Sequence, residues 1–209
     1  MKLLENLTLK KRITALDIGS GNGFPITEIA MRLGDSSKIY GIDPWLNASK
    51  RVAKKIKLYG ITNIEILNGV AESLPFPDHC MDLITSNNGI NNVSDLDKVL
   101  SECARVMKKG GQLLISMNLN TSLMAFYTPM EEVLTMAGML KEIKDMHKHI
   151  YQKRKPLNEM ILKLQDYGFE LKKLVKDKFD YTFADGTTMF HHYFIRLAFV
   201  EGWKSFVPD

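Results

Sequence analysis

From Ala15 to Pro25 the chain reads Ala-Leu-Asp-Ile-Gly-Ser-Gly-Asn-Gly-Phe-Pro, and no other stretch restricts the possible folds as strongly. Arg12 to Ile18 is a short apolar run with β-branched residues, which suits a buried strand. Gly19, Gly21 and Gly23 then interrupt it at alternate positions. Glycine reaches positive φ and leaves room for a ligand to lie against bare backbone. Pro25 stands where a first helical residue would, its missing N–H costing nothing at a helix start. Ile26, Ile29, Ala30 and Leu33 recur at helical spacing up to Gly34. Strand, tight turn and helix N-terminus together offer unpaired N–H groups and a partial positive charge to an anionic ligand group.

A glycine turn also has a purely steric reading, as an ordinary βαβ connection. Support for a ligand comes from downstream. Lys38 to Ile42 is a second strand candidate, ending at Asp43, twenty residues beyond Gly23. In doubly wound folds an acidic side chain at the tip of the second strand accepts both hydroxyls of a ribose, so a nucleotide-type ligand is expected. A dinucleotide fold prefers G-x-G-x-x-G, which would put the third glycine at position 24. That position is Phe24, and the pattern is instead Asp17-x-Gly19-x-Gly21-x-Gly23.

This pattern resembles the first motif, D-x-G-x-G-x-G, of the class I S-adenosylmethionine-dependent methyltransferases. The resemblance runs from Ala15 to Leu119, about half of the chain. Gly69-Val70-Ala71-Glu72-Ser73-Leu74-Pro75-Phe76 is similar to the family's G-D-A-E-x-L-P-F. Glu102 to Leu113 is similar to E-x-x-R-V-L-K-P-G-G-x-L, with Lys109 in the proline position. The resemblance implies an α/β fold: a doubly wound, Rossmann-like sheet of seven mostly parallel strands closed by a C-terminal antiparallel hairpin. It also implies S-adenosyl-L-methionine as methyl donor and S-adenosyl-L-homocysteine as product. Asp17, Gly19, Ser20, Gly21 and Gly23 would shape the turn under the methionyl and ribose groups. Asp43 would hold the ribose, with Pro44 beside it and Trp45 stacking on the adenine. In the family an acidic residue and the next backbone N–H meet the adenine edge; here Val70 occupies the acidic position. Ala71 N–H remains as a donor, and Glu72 is the candidate substitute acceptor. Asn87 follows the expected fourth strand, Met81 to Ser86, and so falls where cofactor and acceptor would meet.

The rest of the chain reads less sharply. Trp45 to Tyr59 is an expected helix, Asn63 to Leu67 the third strand and Gln112 to Asn118 the fifth. Ser94 to Asp97 resembles a capping box for a helix that makes Cys103 a core residue. Beyond Leu119 the family resemblance fades, and Met124, Met130, Met136, Met139, Met146 and Met160 appear among leucines and aromatics. Thr128 to Ile150 and Leu157 to Tyr167 read as helices. They form a lid-like insertion at about 119–167 within a single domain 1–209, supplying an adaptable apolar pocket over the cofactor. Phe169 to Phe183 and Thr188 to Val200, joined by Ala184-Asp185-Gly186-Thr187, read as the terminal hairpin. Strand alternation would turn one of His191 and His192 toward the acceptor as a general base.

A hydrophobic content of 45% is enough for one well-buried core, and the net charge of +4 is mild. The lysines of 50–57 read as a solvated face, so no nucleic-acid partner is expected. Two cysteines make neither a disulfide framework nor a metal site. No run approaches the roughly 18 apolar residues of a membrane span, and 1–12 does not read as a signal peptide, so a cytoplasmic setting is expected. The acceptor is expected to be a small apolar or amphipathic molecule. Quinone, sterol and arsenite methyltransferases share these motifs, and the cysteine count disfavours the last. The alternatives are an NAD(P)-dependent oxidoreductase, opposed by Phe24 and by the expected terminal hairpin, and a non-catalytic nucleotide- or RNA-binding module, supported only by the charge.

Overall fold

The computed structural model describes residues 2–207, in two compact units. The first unit is the chain up to Asn118 together with Met160–Lys172; the second is Leu119–Glu159 together with the chain from Lys173 onward.

The first unit is built on five parallel strands: β1 (Thr14–Ile18), β2 (Lys38–Asp43), β3 (Ile64–Asn68), β4 (Met81–Asn87) and β5 (Met107–Ser116). Their order is β3-β2-β1-β4-β5, so the winding reverses between β1 and β4. Alternation along each strand feeds two cores. Ala15, Ile39 and Leu83 pack with Ile26, Ile29 and Leu33 of α2 (Ile26–Leu33) and Val52 of α3 (Leu46–Leu58), beside Leu3 and Leu4 of α1 (Lys2–Glu5). Leu16, Ile18, Ile42 and Ile84 pack with Val99, Leu100, Cys103 and Val106 of α4 (Leu96–Val106). Covering both faces is why these strands are apolar over most of their length, each fully buried leucine or isoleucine stabilising by about 1.5–3 kcal/mol. Cys103 is fully buried, and burial pushes its thiol up to about 12, which suits a core residue.

Several local expectations shift by a turn or a residue. Asp95, not Ser94, caps α4, its Oδ1 accepting from Lys98 N at 3.0 Å. The fifth strand begins at Met107, five residues early, and carries Gly110 and Gly111 within it. The helix α7 (Leu157–Asp166), expected in the lid, joins the sheet unit from Met160 onward. Met160, Leu164 and Tyr167 line one face at i, i+4, i+7 and enter the second core, and Tyr167 OH donates to Asp97 of α4 at 3.1 Å.

The second unit is helical. The single helix expected over Thr128–Ile150 is two, α5 (Met124–Met136) and α6 (Leu140–Lys153), broken where Gly138 takes φ +71° and its N–H bonds Thr135 O. The expected terminal hairpin is not formed. From 170 to 183 the backbone has no regular structure, Gly186–His191 is helix α8, and 193–204 continues helically with a π turn at Arg196–Val200. Asp185 caps α8 through Thr188 N at 2.7 Å. Phe190, Phe194 and Leu197 with Ile195 and Phe199 repeat at steps of three and four, so the run that resembles a strand also fits a helix. Its core gathers Tyr127, Leu134, Met146, Ile195, Trp203 and Phe206. No helix among the described residues is long and apolar enough to cross a membrane.

Candidate functional site

The winding reverses between β1 and β4, and the crevice that open α/β sheets leave at such a point lies beyond their carboxyl ends, with those of β2 and then β3 alongside β1. The glycine turn sits there. Gly19, Gly21 and Gly23 have φ of +71°, +50° and +97°. Two of them are also packed without room for a side chain. A Cβ on Gly19 would lie 2.8 Å from Gly89 Cα, and one on Gly23 would lie 2.5 Å from Val52 Cγ2. The turn is stitched to the neighbouring strand by Gly19 N donating to Ile42 O at 2.9 Å, and to α3 by Lys55 Nζ donating to Asn22 O at 2.7 Å.

Asp43, at the end of β2, is nearly buried and reaches into this turn. Its Oδ2 accepts from Gly21 N at 2.9 Å and its Oδ1 from Trp45 N at 2.8 Å. Each carboxylate oxygen keeps a second acceptor position, as ribose hydroxyls require. Register pairs Asp43 with Asn68, so Trp45 and Val70, each two residues on, extend from adjacent strand ends. Both are exposed, at 42% and 46%, and so are free to rest against a planar base. Pro44 is exposed beside them, and its carbonyl accepts from Asn68 Nδ2 at 3.2 Å. Phe24, where a dinucleotide fold would have its third glycine, is 42% exposed.

Asp17 lies beneath the turn, wholly buried. Its Oδ1 accepts from Thr85 Oγ1 at 2.6 Å, while its Oδ2, like Ser20 Oγ, is buried without a hydrogen-bond partner among the described residues. Burial, with the nearby Asp43 charge adding to it and the Thr85 hydroxyl opposing, pushes the Asp17 carboxyl up to about 7. A Cβ-free cradle, a carboxylate with spare acceptor positions and two orphaned buried polar atoms at one strand end fit a polar nucleoside ligand. Asn87 ends β4 at the same crevice, its Oδ1 accepting from Ser116 Oγ at 2.5 Å. Ser86 Oγ donates to Ile18 O at 3.1 Å and accepts from Ile90 N at 3.0 Å, fixing the following loop against β1.

Other expected site residues have different surroundings. Ala71 is buried in the core, and its side chain contributes packing. Glu72 Oε1 accepts from Ser94 N at 2.8 Å and Asp95 N at 3.3 Å, so its carboxylate fastens the start of α4 rather than standing ready as an adenine acceptor. His191 and His192 belong to the second unit, His191 ending α8 and His192 being the single extended residue before the next helical turn, so the strand-alternation argument for them does not hold. His191 is exposed with Nδ1 on Thr187 O at 2.8 Å, and His192 has its Nδ1 buried and unpartnered beside the Phe183 and Tyr193 rings. Thr85, Ser86 and Ser116 were missed by the sequence reading. Their signal is the polar run Thr85-Ser86-Asn87 closing an otherwise apolar strand.

Residues 16–115 match the family model described as a methyltransferase domain. This segment belongs to the methyltransferase-domain family. Among curated relatives, the methyltransferase segment is similar to the demethylmenaquinone methyltransferase of Geobacillus stearothermophilus, 35% identical over 109 residues covering 52% of this chain and 47% of that protein. It is also similar to the ubiquinone/menaquinone biosynthesis C-methyltransferase of Escherichia coli O1:K1, 36% identical over 103 residues, 49% of this chain and 41% of that one. The chain thus spans about half the length of the curated relatives it matches. Among solved structures, a SAM-dependent methyltransferase from Aquifex aeolicus superposes with a TM-score of 0.62 at 24% identity, over 84% of this chain and 81% of that one. The 4+2 cyclase SpnF superposes with a TM-score of 0.61 at 20% identity, over 82% and 56%. Those two likenesses show the fold alone; a fold shared by a methyltransferase and a cyclase leaves function to be argued from the site.

Proposed function

We propose that the chain is an S-adenosylmethionine-dependent methyltransferase acting on a small apolar or amphipathic acceptor. The observation that carries this reading is the Asp17-x-Gly19-x-Gly21-x-Gly23 turn closed by Asp43 at the reversal of the sheet, within the methyltransferase segment. S-adenosylmethionine, when bound, supplies a methyl group on a positively charged sulfur that leaves without acid assistance. What the chain's own residues do is bind, orient and exclude water, an entropic contribution of up to about 7–11 kcal/mol in well-aligned reactions. Asp43 receives the ribose hydroxyls on its spare acceptor positions. Gly19 and Gly21 allow the ligand to lie on backbone, with Asp17 and Ser20 beneath it. Trp45 and Val70 give the base an apolar rest, and Ala71 N–H meets its edge. Asn87 faces the reacting end, its amide oriented by Ser116.

The second unit lies outside the matched segment and is rich in methionine and aromatic side chains. The relatives' names favour a menaquinone-type precursor within that class. The test is thermal denaturation with S-adenosylhomocysteine, NAD and RNA in parallel. A ligand at 100 times its dissociation constant stabilises by about 2.7 kcal/mol. Stabilisation by S-adenosylhomocysteine is expected; stabilisation by NAD alone, or by RNA alone, would overturn the assignment.

A further inference from the structure

The core of the second unit contains a cation. Arg154, at the C-terminus of α6, is 4% exposed among Tyr127, Phe199 and Trp203. Its Cζ lies 5.5 Å from the Tyr127 ring centroid and 5.9 Å from that of Phe199. A guanidinium carries five N–H donors, no acceptor and a charge it does not lose in a protein. Among the described residues its hydrogen bonding consists of Nη1 donating to Tyr127 Oη at 3.1 Å, and no carboxylate stands within ion-pair distance. Phe199 and Tyr127 faces recover part of the lost hydration through cation–π attraction, which is weaker than the penalty of burying a charge.

Tyr127 sharpens the imbalance. Its fully buried Oη accepts from Arg154 Nη1 and also from Trp203 Nε1 at 3.0 Å. With both acceptor positions taken, its own O–H proton is directed away from these two groups and is a further donor. Arg154, Tyr127 and Trp203 together are therefore a buried cluster rich in donors around a single acceptor atom. The field is already positive: His149, half-buried nearby, is held below the usual imidazole range by burial and then by the charges of Arg154 and Lys153. What balances such a cluster is a group that only accepts and carries negative charge. The surrounding side chains, Phe126, Ile195 and Phe199 among them, require the remainder of that molecule to be apolar.

We propose that Arg154 and Tyr127 form a binding site, inside the second unit, for the carboxylate of a small apolar or aromatic acid. The assignment concerns this unit by itself and does not rest on the methyl-transfer reading. The guanidinium supplies paired N–H donors and charge, the phenol supplies an O–H, and the aromatic walls take the apolar body. Carboxylate recognition by a desolvated guanidinium is both charge-assisted and planar, so it discriminates an acid from its neutral amide.

Phenylacetate and phenylacetamide, equal in shape and different in charge, are the probes. In the full chain carrying Trp45→Phe, Trp203 is the single tryptophan and reports on its own surroundings. Phenylacetate is expected to change Trp203 fluorescence saturably and to bind at least about tenfold more tightly than the amide. Arg154→Met is expected to remove the preference for the acid, and Arg154→Lys to keep part of it. Absence of saturable phenylacetate binding, equal binding of acid and amide, or undiminished acid preference in Arg154→Met would overturn the proposal. Should Arg154→Met fail to fold by circular dichroism, the acid–amide comparison on the Trp45→Phe protein decides alone.

Discussion

Asp17→Asn is the most informative single change, because Asp17 couples the glycine turn to the pH dependence of the fold. The carboxyl has an ordinary value of 3.8 and is pushed up to about 7 in the folded chain, with burial as the largest cause. A folded-state value above the unfolded one means that the folded chain binds the extra proton between these limits. The folded state is therefore free of the penalty below about pH 4 and loses stability progressively as pH rises toward 7. The gap corresponds to about 4 kcal/mol when complete, an order-of-magnitude figure. Asn keeps an oxygen for the Thr85 hydroxyl but puts an amide N–H₂ where Oδ2 now lacks a partner, a pH-independent cost of about 1–3 kcal/mol. The expected outcome is a crossing pair of curves. Asp17→Asn is less stable than wild type near pH 4 and gains on it, by up to about 1.4 kcal/mol per pH unit, until about pH 7. Urea unfolding followed by circular dichroism across that range measures the difference. A difference that stays flat with pH would refute the reasoning, since it would mean that the Asp17 proton is held equally in both states.

Other consequences are simpler to read. Thr85→Val removes the hydroxyl that Asp17 Oδ1 accepts from and should cost about 1–3 kcal/mol in urea unfolding, growing with pH as the carboxylate loses its remaining donor. Gly19→Ala puts a Cβ 2.8 Å from Gly89 Cα at φ +71° and should abolish S-adenosylhomocysteine binding. Gly34→Ala shares that φ at +70° but meets nothing within 4 Å, and should leave binding intact while losing about 1 kcal/mol of stability. Val70→Asp restores an acceptor beside the proposed adenine position. Calorimetry should show S-adenosylhomocysteine affinity rising about tenfold, with thermal stability unchanged because position 70 is exposed.

Legibility of the fold followed the strength of local constraint. β1, β2 and β4 could be read because both sheet faces are covered, which leaves predominantly apolar runs, broken by Asp17 in β1 and Asp82 in β4. The turn and Asp43 were legible because glycine spacing and one acidic tip are each tied to backbone geometry, and Asp43 does meet Gly21 N. The C-terminal segment was not legible. Phe190 to Val200 satisfies strand and helix spacing alike, and the capping of α8 by Asp185 favours the helix through a contact from Asp185, expected in a turn, to Thr188, expected to open a strand. The contact of Glu72 with the start of α4 was not legible for a related reason: its partners, Ser94 N and Asp95 N, are twenty-two and twenty-three residues away. Arg154 gave no signal, since only packing reveals that a lysine-flanked arginine has turned inward.

Methyl transfer by this chain requires a nucleoside bound across bare glycine backbone with its sugar held by Asp43. Calorimetric titration of S-adenosylhomocysteine into the wild-type chain and into Asp43→Ala, with folding checked by thermal denaturation, measures that directly. One-to-one binding to the wild type, weakened about 100-fold or more in the variant by loss of two charge-assisted hydrogen bonds, is the predicted result. Equal affinity in the two proteins, or no heat of binding to the wild type, would contradict it.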